Sequence, residues 1–214
     1  GDNQQACYVN TGAWSTAAIK EAAKYCTVKV VASSEEQRFT TIPDTAAWKI
    51  DPAAAYLHYT SNETIHGVEF FGIPDSGSLP LICDMSSDIL SRPENISRYG
   101  LIYAGAQKNM GPSGVTVVIV RDDLLDRASH QVPGVFNYRL QADADSMLNT
   151  PATYNWYLLG LVLKWLKQQG GVAAIEAHNI RKADKLYRAI DGSSLYRNPF
   201  DPRYRSRMNI PFVL

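Results

Sequence analysis

Apolar runs alternate with segments of helical period along the first half of the chain. The strand-like runs are residues 27–33, 54–62, 79–87, 101–106 and 115–120. Residues 11–26 (TGAWSTAAIKEAAKYC) have the spacing of a helix, with Ser15 as its candidate N-cap. Because strands and helices alternate, the pattern predicts an α/β fold with a mainly parallel sheet flanked by helices.

The second half of the chain contains longer helical segments and fewer strands. Its predicted elements are a short helix at 121–128, a polar loop at 130–148, helices at 149–171 and 172–191, and a strand at 205–214. Thr150 can cap the first long helix, Pro151 suits its first position, and Gly170 can end it. Its apolar face is predicted to contain Trp156, Leu159, Leu163 and Leu166. The last predicted strand stops without a turn signal, so we expect the natural chain to continue past Leu214.

The composition disfavours several classes of protein. The chain has 214 residues with 21 basic and 21 acidic side chains, and without a basic stripe nucleic acid is not an expected partner. No apolar run approaches the roughly 20 residues of a membrane span. Cys7, Cys26 and Cys83 are too few and too widely spaced for a disulfide framework or a zinc site. These features predict a protein of the cytoplasm.

Asp84 and Lys108 are the strongest candidates for chemistry. Asp84 follows an apolar strand, and ligands of open α/β sheets bind beyond the carboxyl ends of such strands. Lys108 lies one predicted strand later, so both side chains can reach the same edge of the sheet. A pyridoxal phosphate site needs a Schiff-base lysine and an acidic partner for the ring nitrogen. Two alternatives stay open: Asp84 as a turn-capping residue, and Lys108 as a solvated lysine between hairpin strands.

Other motifs give weaker indications. The histidines of the chain are His58, His66, His130 and His178. None has ligand spacing such as HExxH, so no metal site is predicted, although His66 follows a strand that ends near the candidate site. Trp14 lies near a helix start, where an indole either packs in the core or stacks on a planar ligand. Residues 62–64 (NET) are interpreted as part of the site.

Several longer segments resemble one enzyme family. They are GAWSTAAIKEA, SNETIHGVEF, DMSSDILSRP, ISRYGLIYAGAQKNMGPSGVTVVIVRDDLL, LNTPATYNWYLLGLVLKWL and RSRMNIPF. Together they resemble the phosphoserine aminotransferases, which are class V, fold-type I enzymes dependent on pyridoxal phosphate. The resemblance extends from about Tyr8 to the last residue. It implies a cofactor-binding large domain, in part, at 1–165 and the start of a small α/β domain at 166–214.

The resemblance implies catalytic and ring-binding roles for four residues. Lys108 resembles the lysine that forms the Schiff base with pyridoxal phosphate and later moves the proton. Asp84 resembles the partner of the ring nitrogen. Trp14 resembles the tryptophan that stacks on the ring, and Thr64 resembles the threonine that bonds the phenolic oxygen.

The resemblance also implies contacts to the cofactor phosphate. Gln107 resembles a glutamine that helps to hold this phosphate. Asn149 and Thr150 resemble a pair that reaches across an interface to the cofactor phosphate of a neighbouring subunit. This last role implies a homodimer.

The implied reaction is a transamination in two halves. Glutamate gives up its amino group and leaves as 2-oxoglutarate; 3-phosphohydroxypyruvate then accepts the group and leaves as phosphoserine. The implied pathway is serine biosynthesis and, in some bacteria, pyridoxine biosynthesis as well. The alternatives are a class V aminotransferase for another substrate, and a non-catalytic fragment that dimerises or binds the cofactor.

Members of this family are longer than the present chain. The glycine-rich segment that binds the cofactor phosphate, a histidine-arginine substrate motif and a substrate-binding arginine have no matching segment here. We therefore expect this chain alone to bind the cofactor weakly and to show little or no transamination.

Overall fold

A sheet of six strands lies at the centre of the chain, which a computed structural model describes at residues 5–128 and 132–214. The described residues contain eight strands, which are β1 (Gln5–Asn10), β2 (Thr27–Ser33), β3 (Leu57–Thr60), β4 (Asn62–Glu63), β5 (Val68–Glu69), β6 (Leu81–Asp84), β7 (Leu101–Gly105) and β8 (Thr116–Val120). The sheet order is β2-β1-β3-β6-β7-β8, in which β8 alone is antiparallel to its neighbour, while β4 and β5 form a separate antiparallel pair. The predicted α/β fold with a mainly parallel sheet is confirmed. Of the histidines named above, His130 lies outside the described residues.

Helices connect and cover the strands. They are α1 (Ala13–Ala22), α2 (Tyr138–Asp143), α3 (Thr153–Gln168) and α4 (Gly171–Asp191). Helix α1 joins β1 to β2, because two adjacent parallel strands need a crossover connection between them. Within the described ranges, no helix is long and apolar enough to span a membrane.

The register of the parallel strands brings three carboxyl ends to one edge of the sheet. Thr60 at the end of β3 is the partner of Asp84 at the end of β6. Asp84 is in turn the partner of Tyr103 in β7. The side chains and loops that follow these strands therefore meet beyond this edge, which is where ligands of open α/β sheets bind.

Strand β1 is missing from the sequence-based prediction. Its segment, QACYVN, has only a short apolar run, in which Cys7, Tyr8 and Val9 are buried. The strand lies inside the sheet between β2 and β3, so its neighbours provide its hydrogen bonds and cover. A buried central strand needs no alternation of polar and apolar residues, and the sequence therefore offered little pattern to detect.

The predicted N-cap of α1 was wrong. The cap position is Gly12, and Ser15 lies in the first turn. The Ser15 hydroxyl accepts hydrogen bonds from the backbone N–H groups of Thr11 (2.9 Å) and Gly12 (3.0 Å). Ser15 therefore folds the chain back onto the segment before the helix, instead of starting the helix itself.

Four predictions in the second half also need correction. Part of the predicted loop at 130–148 is helix α2, whose cap Asn137 accepts hydrogen bonds from the N–H groups of Arg139 and Leu140. Helix α3 begins at Thr153 with Ala152 at the cap position, so Thr150 does not cap it.

The segment 205–214 forms only isolated bridges, because its hydrogen bonds go to loops and side chains. On α3, Leu159 and Leu166 are buried, whereas Trp156 and Leu163 are exposed.

The segment after α4 packs against the hairpin of β4 and β5. The N–H of Arg207 donates to the Glu69 carboxylate (2.7 Å), and the Asn62 amide donates to the Asn209 side chain (2.8 Å). The N–H of Ser206 donates to the carbonyl of Gly67 (2.9 Å).

The predicted domain boundary between residues 165 and 166 falls inside α3, and the division into two domains stays a prediction.

A buried cluster of charges lies behind the same hairpin. The guanidinium of Arg92 contacts the carboxylates of Glu69, Asp88 (3.3 Å) and Glu94 (2.7 Å). Asp88 also accepts a hydrogen bond of 2.5 Å from the Ser61 hydroxyl. One cation therefore serves three carboxylates, and burial raises the pKa of both Glu69 and Asp88.

Candidate active site

A cavity of about 140 Å³ opens beyond the carboxyl ends of β3, β6 and β7. Its walls are formed by Trp14, Thr60, Asn62, Thr64, Asp84, Ser86, Ser87, Gln107 and Lys108. The register of the strands explains this meeting, since residues that are far apart in sequence follow neighbouring strand ends. Five residues with predicted cofactor roles therefore lie around one cavity. They are Trp14, Thr64, Asp84, Gln107 and Lys108.

Lys108 lies in the connection between β7 and β8. Its Nζ donates to the Thr64 hydroxyl at 2.5 Å and lies 5.7 Å from the centre of the Trp14 ring. The connection joins antiparallel strands, as the hairpin alternative assumed, but its lysine also lines the cavity. Lys108 is exposed as a whole, yet partial burial of its amine lowers the pKa below the ordinary value of lysine.

Nearby carboxylates oppose this lowering of the Lys108 pKa. The charges of Asp84, Asp88 and Glu63 all favour the protonated amine, in this order of size, but burial has the larger effect. Lys108 has no ion-pair partner among the described residues, and its one short polar contact is the neutral Thr64 hydroxyl. The amine is therefore held in place without being locked into a salt bridge.

Asp84 ends β6 at the base of the cavity. One carboxylate oxygen accepts the N–H of Ser86 at 2.9 Å, so the turn-capping interpretation is correct as local geometry. The same carboxylate lines the cavity, and its charge raises the pKa of the neighbouring Tyr103 phenol, after the larger effect of burial. The two interpretations are compatible, because one oxygen can serve the turn while the other faces a ligand.

Trp14 lies in the first turn of α1, above the cavity. Its side chain is 46% exposed, which is more than core packing would leave for an indole. The ring lies near the Lys108 amine and lines the cavity, where an indole can stack on a planar ligand. The arrangement favours the planar-ligand alternative over core packing.

Gln107 and the glycines around it shape the side of the cavity. The Gln107 amide lies against Gly105, so closely that a methyl group at position 105 would overlap it. The N–H of Gly105 donates to the Ser86 hydroxyl at 3.2 Å. Farther along, Gly111 and Gly114 have φ angles of 141° and 100°, which L-residues with side chains rarely adopt. The glycines near Lys108 therefore allow backbone conformations and close contacts in the loop that a larger side chain would prevent.

Asn149 and Thr150 do not lie at this cavity. Both are exposed in the segment before α3, where the Asn149 amide donates to the carbonyl of Thr150 at 3.2 Å. A role at the cavity of a neighbouring subunit stays a prediction. His66 also has a local role, since its Nδ1 accepts the N–H of Ala13 at 3.2 Å and its ring meets Phe39 edge-on.

Thr60, Ser86 and Ser87 are cavity residues that the sequence analysis did not single out, whereas Asn62 belongs to the segment 62–64 that it interpreted as part of the site. Each follows or ends a strand beside a residue that it did single out, so position relative to Asp84 and Thr64 was the available signal. Asn62 and Ser87 are joined, because the Asn62 amide donates to the Ser87 hydroxyl at 2.8 Å.

The donor set fits pyridoxal phosphate. The cavity contains an amine for the aldehyde, a carboxylate for the ring nitrogen, and an indole for the ring face. Thr60 Oγ1 and Asn62 Oδ1 are buried at this cavity without a hydrogen-bond partner among the described residues. Such atoms are rare in folded proteins, and they indicate room for polar groups of a ligand or water. No group of three His, Cys, Asp or Glu residues suited to a metal ion occurs in the described ranges.

Comparison with known proteins gives one consistent result. The family model "Aminotransferase class-V" matches residues 1–213. The phosphoserine aminotransferase of Hahella chejuensis is 57% identical over 210 residues, covering 98% of this chain and 58% of the relative. That of Pseudomonas aeruginosa strain LESB58 is 58% identical over 207 residues, covering 97% of this chain and 57% of the relative. The chain thus spans less than two thirds of the length of these curated relatives.

Solved structures agree with the sequence comparison. The phosphoserine aminotransferase from Bacillus circulans subsp. alkalophilus matches with a TM-score of 0.97 and 47% identity, over 100% of this chain and 60% of the other. A pyridoxal phosphate-bound phosphoserine aminotransferase from Trichomonas vaginalis matches with a TM-score of 0.92 and 40% identity, over 99% and 60%. These matches confirm the predicted fold class. The chain belongs to the class V aminotransferase family.

Proposed function

We propose that this protein acts as a phosphoserine aminotransferase with pyridoxal phosphate as cofactor. Glutamate and 3-phosphohydroxypyruvate are the proposed substrates, and 2-oxoglutarate and phosphoserine the products. The names of the relatives support this proposal, since those described above are phosphoserine aminotransferases at 40–58% identity. Serine biosynthesis is the proposed pathway, with pyridoxine biosynthesis as an additional role in some bacteria.

The observation that carries the proposal is the meeting of Lys108 and Asp84 at one cavity. These residues come from different connections, and the sheet register brings them together beneath the Trp14 ring. Bound pyridoxal phosphate supplies an aldehyde that condenses with amines and a protonated ring that accepts negative charge. The Trp14 indole offers a flat face to such a ring, and Thr64 a hydroxyl.

Lys108 has the chemistry of both a nucleophile and a base. Its lowered pKa increases the unprotonated fraction of the amine, which is the form that attacks an aldehyde or accepts a proton. The Thr64 hydroxyl positions Nζ at the cavity mouth. Asp84 carries a negative charge at the base of the same cavity, where it can hold a proton on a ring nitrogen.

A homodimer is part of the proposal. Around α2 and α3 the surface carries many large exposed apolar side chains, including Phe136, Leu140, Tyr154, Tyr157 and Trp165. Apolar surface of this kind is typical of an interface. Asn149 and Thr150 are exposed in the segment between α2 and α3. We also propose a cytoplasmic location, with which three free cysteines agree.

The experiment is a visible spectrum of the purified chain with added pyridoxal phosphate, before and after borohydride. The parent is expected to show an absorption band that borohydride removes, and Lys108→Ala to lack it. Lys185→Ala, which changes an exposed lysine on α4, is the matched control and should keep the band. A band that survives in Lys108→Ala would contradict the assignment of the lysine.

Turnover then separates the proposed enzyme from its alternatives. The chain is assayed with glutamate and either 3-phosphohydroxypyruvate or glyoxylate. Preference for the phosphorylated acceptor supports the proposal, and preference for glyoxylate supports a class V aminotransferase of another specificity. A band without any turnover supports a chain that binds the cofactor but lacks substrate-binding segments.

A further inference from the structure

The N-terminus of α1 is capped by a distant turn. The first backbone N–H groups of a helix have no partner within the helix. Here the N–H of Trp14 donates to Glu63 Oε2 and that of Ser15 donates to Glu63 Oε1, both at 2.9 Å. The N–H of Ala13 donates to His66 Nδ1 at 3.2 Å. The last residue of β4 and the turn after it therefore satisfy three consecutive N–H groups, from about 50 residues away along the chain.

Glu63 is an unusual residue to find in this place. Its side chain is 0% exposed, and it takes part in none of the ion pairs among the described residues. A buried carboxylate is costly unless hydrogen bonds and favourable charges surround it. Both conditions are met by the two N–H donors and by the positive end of the helix dipole. The packing is also tight, because a methyl group on Gly12 would overlap the Glu63 side chain.

The same turn also holds the reactive lysine. Thr64 follows Glu63 directly, and its hydroxyl accepts the hydrogen bond from Lys108 Nζ. The adjacent residues Glu63 and Thr64 therefore form hydrogen bonds with the backbone of Trp14 and with the amine of Lys108, respectively. The Glu63 carboxylate is also close enough to Lys108 for its charge to favour the protonated amine.

We propose that Glu63 is a positioning residue of this site. Through its two hydrogen bonds it fixes the first turn of α1, and hence the Trp14 ring, relative to the Thr64–Lys108 contact. Because Glu63 directly precedes Thr64, which binds the Lys108 amine, its negative charge is also expected to favour the protonated form of that amine. The significance of both effects for catalysis rests on the proposed function, but the effects themselves exist in the chain without cofactor.

Two variants separate the hydrogen bonds from the charge. Glu63→Gln keeps the shape, removes the charge and replaces one acceptor with a donor. Glu63→Asp keeps the charge but is too short to reach both N–H groups in the same way. Glu36→Gln, in an exposed 3₁₀ helix, is the matched control.

Both measurements are made without cofactor, so they do not depend on whether the cofactor binds. Amide hydrogen exchange by NMR is expected to become about fivefold faster or more at Trp14 or Ser15 in both Glu63 variants, as for a lost helix cap. Amides of α4 serve as the internal reference and should not change. An NMR titration of ¹³C-methylated Lys108, assigned with Lys108→Arg, follows the protonation of the amine.

The titration is expected to give different results for the two variants. The Lys108 pKa is expected to fall in Glu63→Gln and to stay near the parent value in Glu63→Asp, whereas a merely structural cap would shift neither. Unchanged exchange and an unchanged titration in a folded Glu63→Gln would overturn the proposal, as would a rise in the Lys108 pKa. If Glu63→Gln does not fold, Glu63→Asp decides, and parent-like exchange at both amides overturns it.

Discussion

At Gly12 the site leaves no room for a side chain. Its φ of 168° is extended and open to any residue, so conformation does not require glycine here. A Cβ at this position would lie 2.5 Å from the Glu63 carboxyl carbon, which is a clash with an anchored side chain. Gly12→Ala is therefore expected to reduce the free energy of unfolding by about 1–3 kcal/mol in urea denaturation.

The control for Gly12 is another glycine of the same chain. Gly72 is exposed and has no heavy atom within 4 Å of the position of an added Cβ. Gly72→Ala should leave the unfolding free energy within about 0.5 kcal/mol of the parent. Equal effects at the two positions would show that Glu63 can move aside.

Asp84 provides a test of chemistry at the same scale. Asp84→Asn keeps an oxygen for the N–H of Ser86 but removes the negative charge. The rate of the half-reaction with glutamate is expected to fall by about 10²-fold or more, while the borohydride-sensitive band remains. Stopped-flow absorbance measures this rate. Asp75→Asn is the control, since Asp75 caps a similar turn at Gly77 away from the cavity, and it should react at the parental rate.

At the scale of elements, the Arg92 cluster joins the hairpin of β4 and β5 to the segment after β6. Arg92 is the cation shared by two buried carboxylates, Glu69 and Asp88, and the partly buried Glu94, so its removal leaves uncompensated charge. Arg92→Met is expected to lower the unfolding free energy by about 3–5 kcal/mol. Arg121→Met, which breaks an exposed pair with Asp123, should cost about 1 kcal/mol or less. Similar losses of unfolding free energy in both variants would contradict the expectation that the buried ion pairs of Arg92 matter more than the exposed pair of Arg121.

The same cluster predicts a dependence of stability on pH. Burial raises the pKa of Asp88 from 3.8 to about 7, so between these values the folded chain binds more protons than the unfolded chain. The contribution of Asp88 is therefore most favourable below pH 4 and is lost as the pH rises to about 7. Asp88→Asn should gain stability relative to the parent across this window, as measured by urea unfolding at several pH values. A difference that is constant with pH would refute the assignment.

At the scale of the whole molecule, the proposed dimer makes a prediction for Asn149. If its amide serves the cofactor of a neighbouring subunit, Asn149→Ala should raise the dissociation constant for pyridoxal phosphate by about 10- to 100-fold in the dimer. Removing one charge-assisted hydrogen bond is worth about 1.5–3 kcal/mol, which sets the scale. Sedimentation velocity measures the oligomeric state, and absorbance measures the bound cofactor. A monomer that loses affinity to the same extent would contradict the cross-subunit role.

The sequence predicted the architecture better than it predicted the boundaries and contacts. Continuous apolar runs identified the strands around Asp84, because buried parallel strands carry that pattern. The meeting of Asp84 with Lys108 followed from strand ends, whereas the roles of Thr64 and Gln107 came from family resemblance alone. The start of α1 was not predictable, because the N–H groups of Trp14 and Ser15 donate to Glu63, which is not a neighbour in sequence. Long-range partners of this kind leave no local signal.

The hydrogen bonds between the β4–β5 hairpin and the segment after α4 have a consequence for the synthesis of the chain. Glu69 receives the N–H of a residue 138 positions later, and Asn62 finds Asn209 147 positions later. At about 5–20 residues per second, a ribosome needs on the order of ten seconds to supply these partners. All the strands of the sheet have been synthesised well before then. The nascent chain therefore passes through an interval in which Glu69 and Asn62 lack these partners, and the hairpin of β4 and β5 is less stable than in the folded chain.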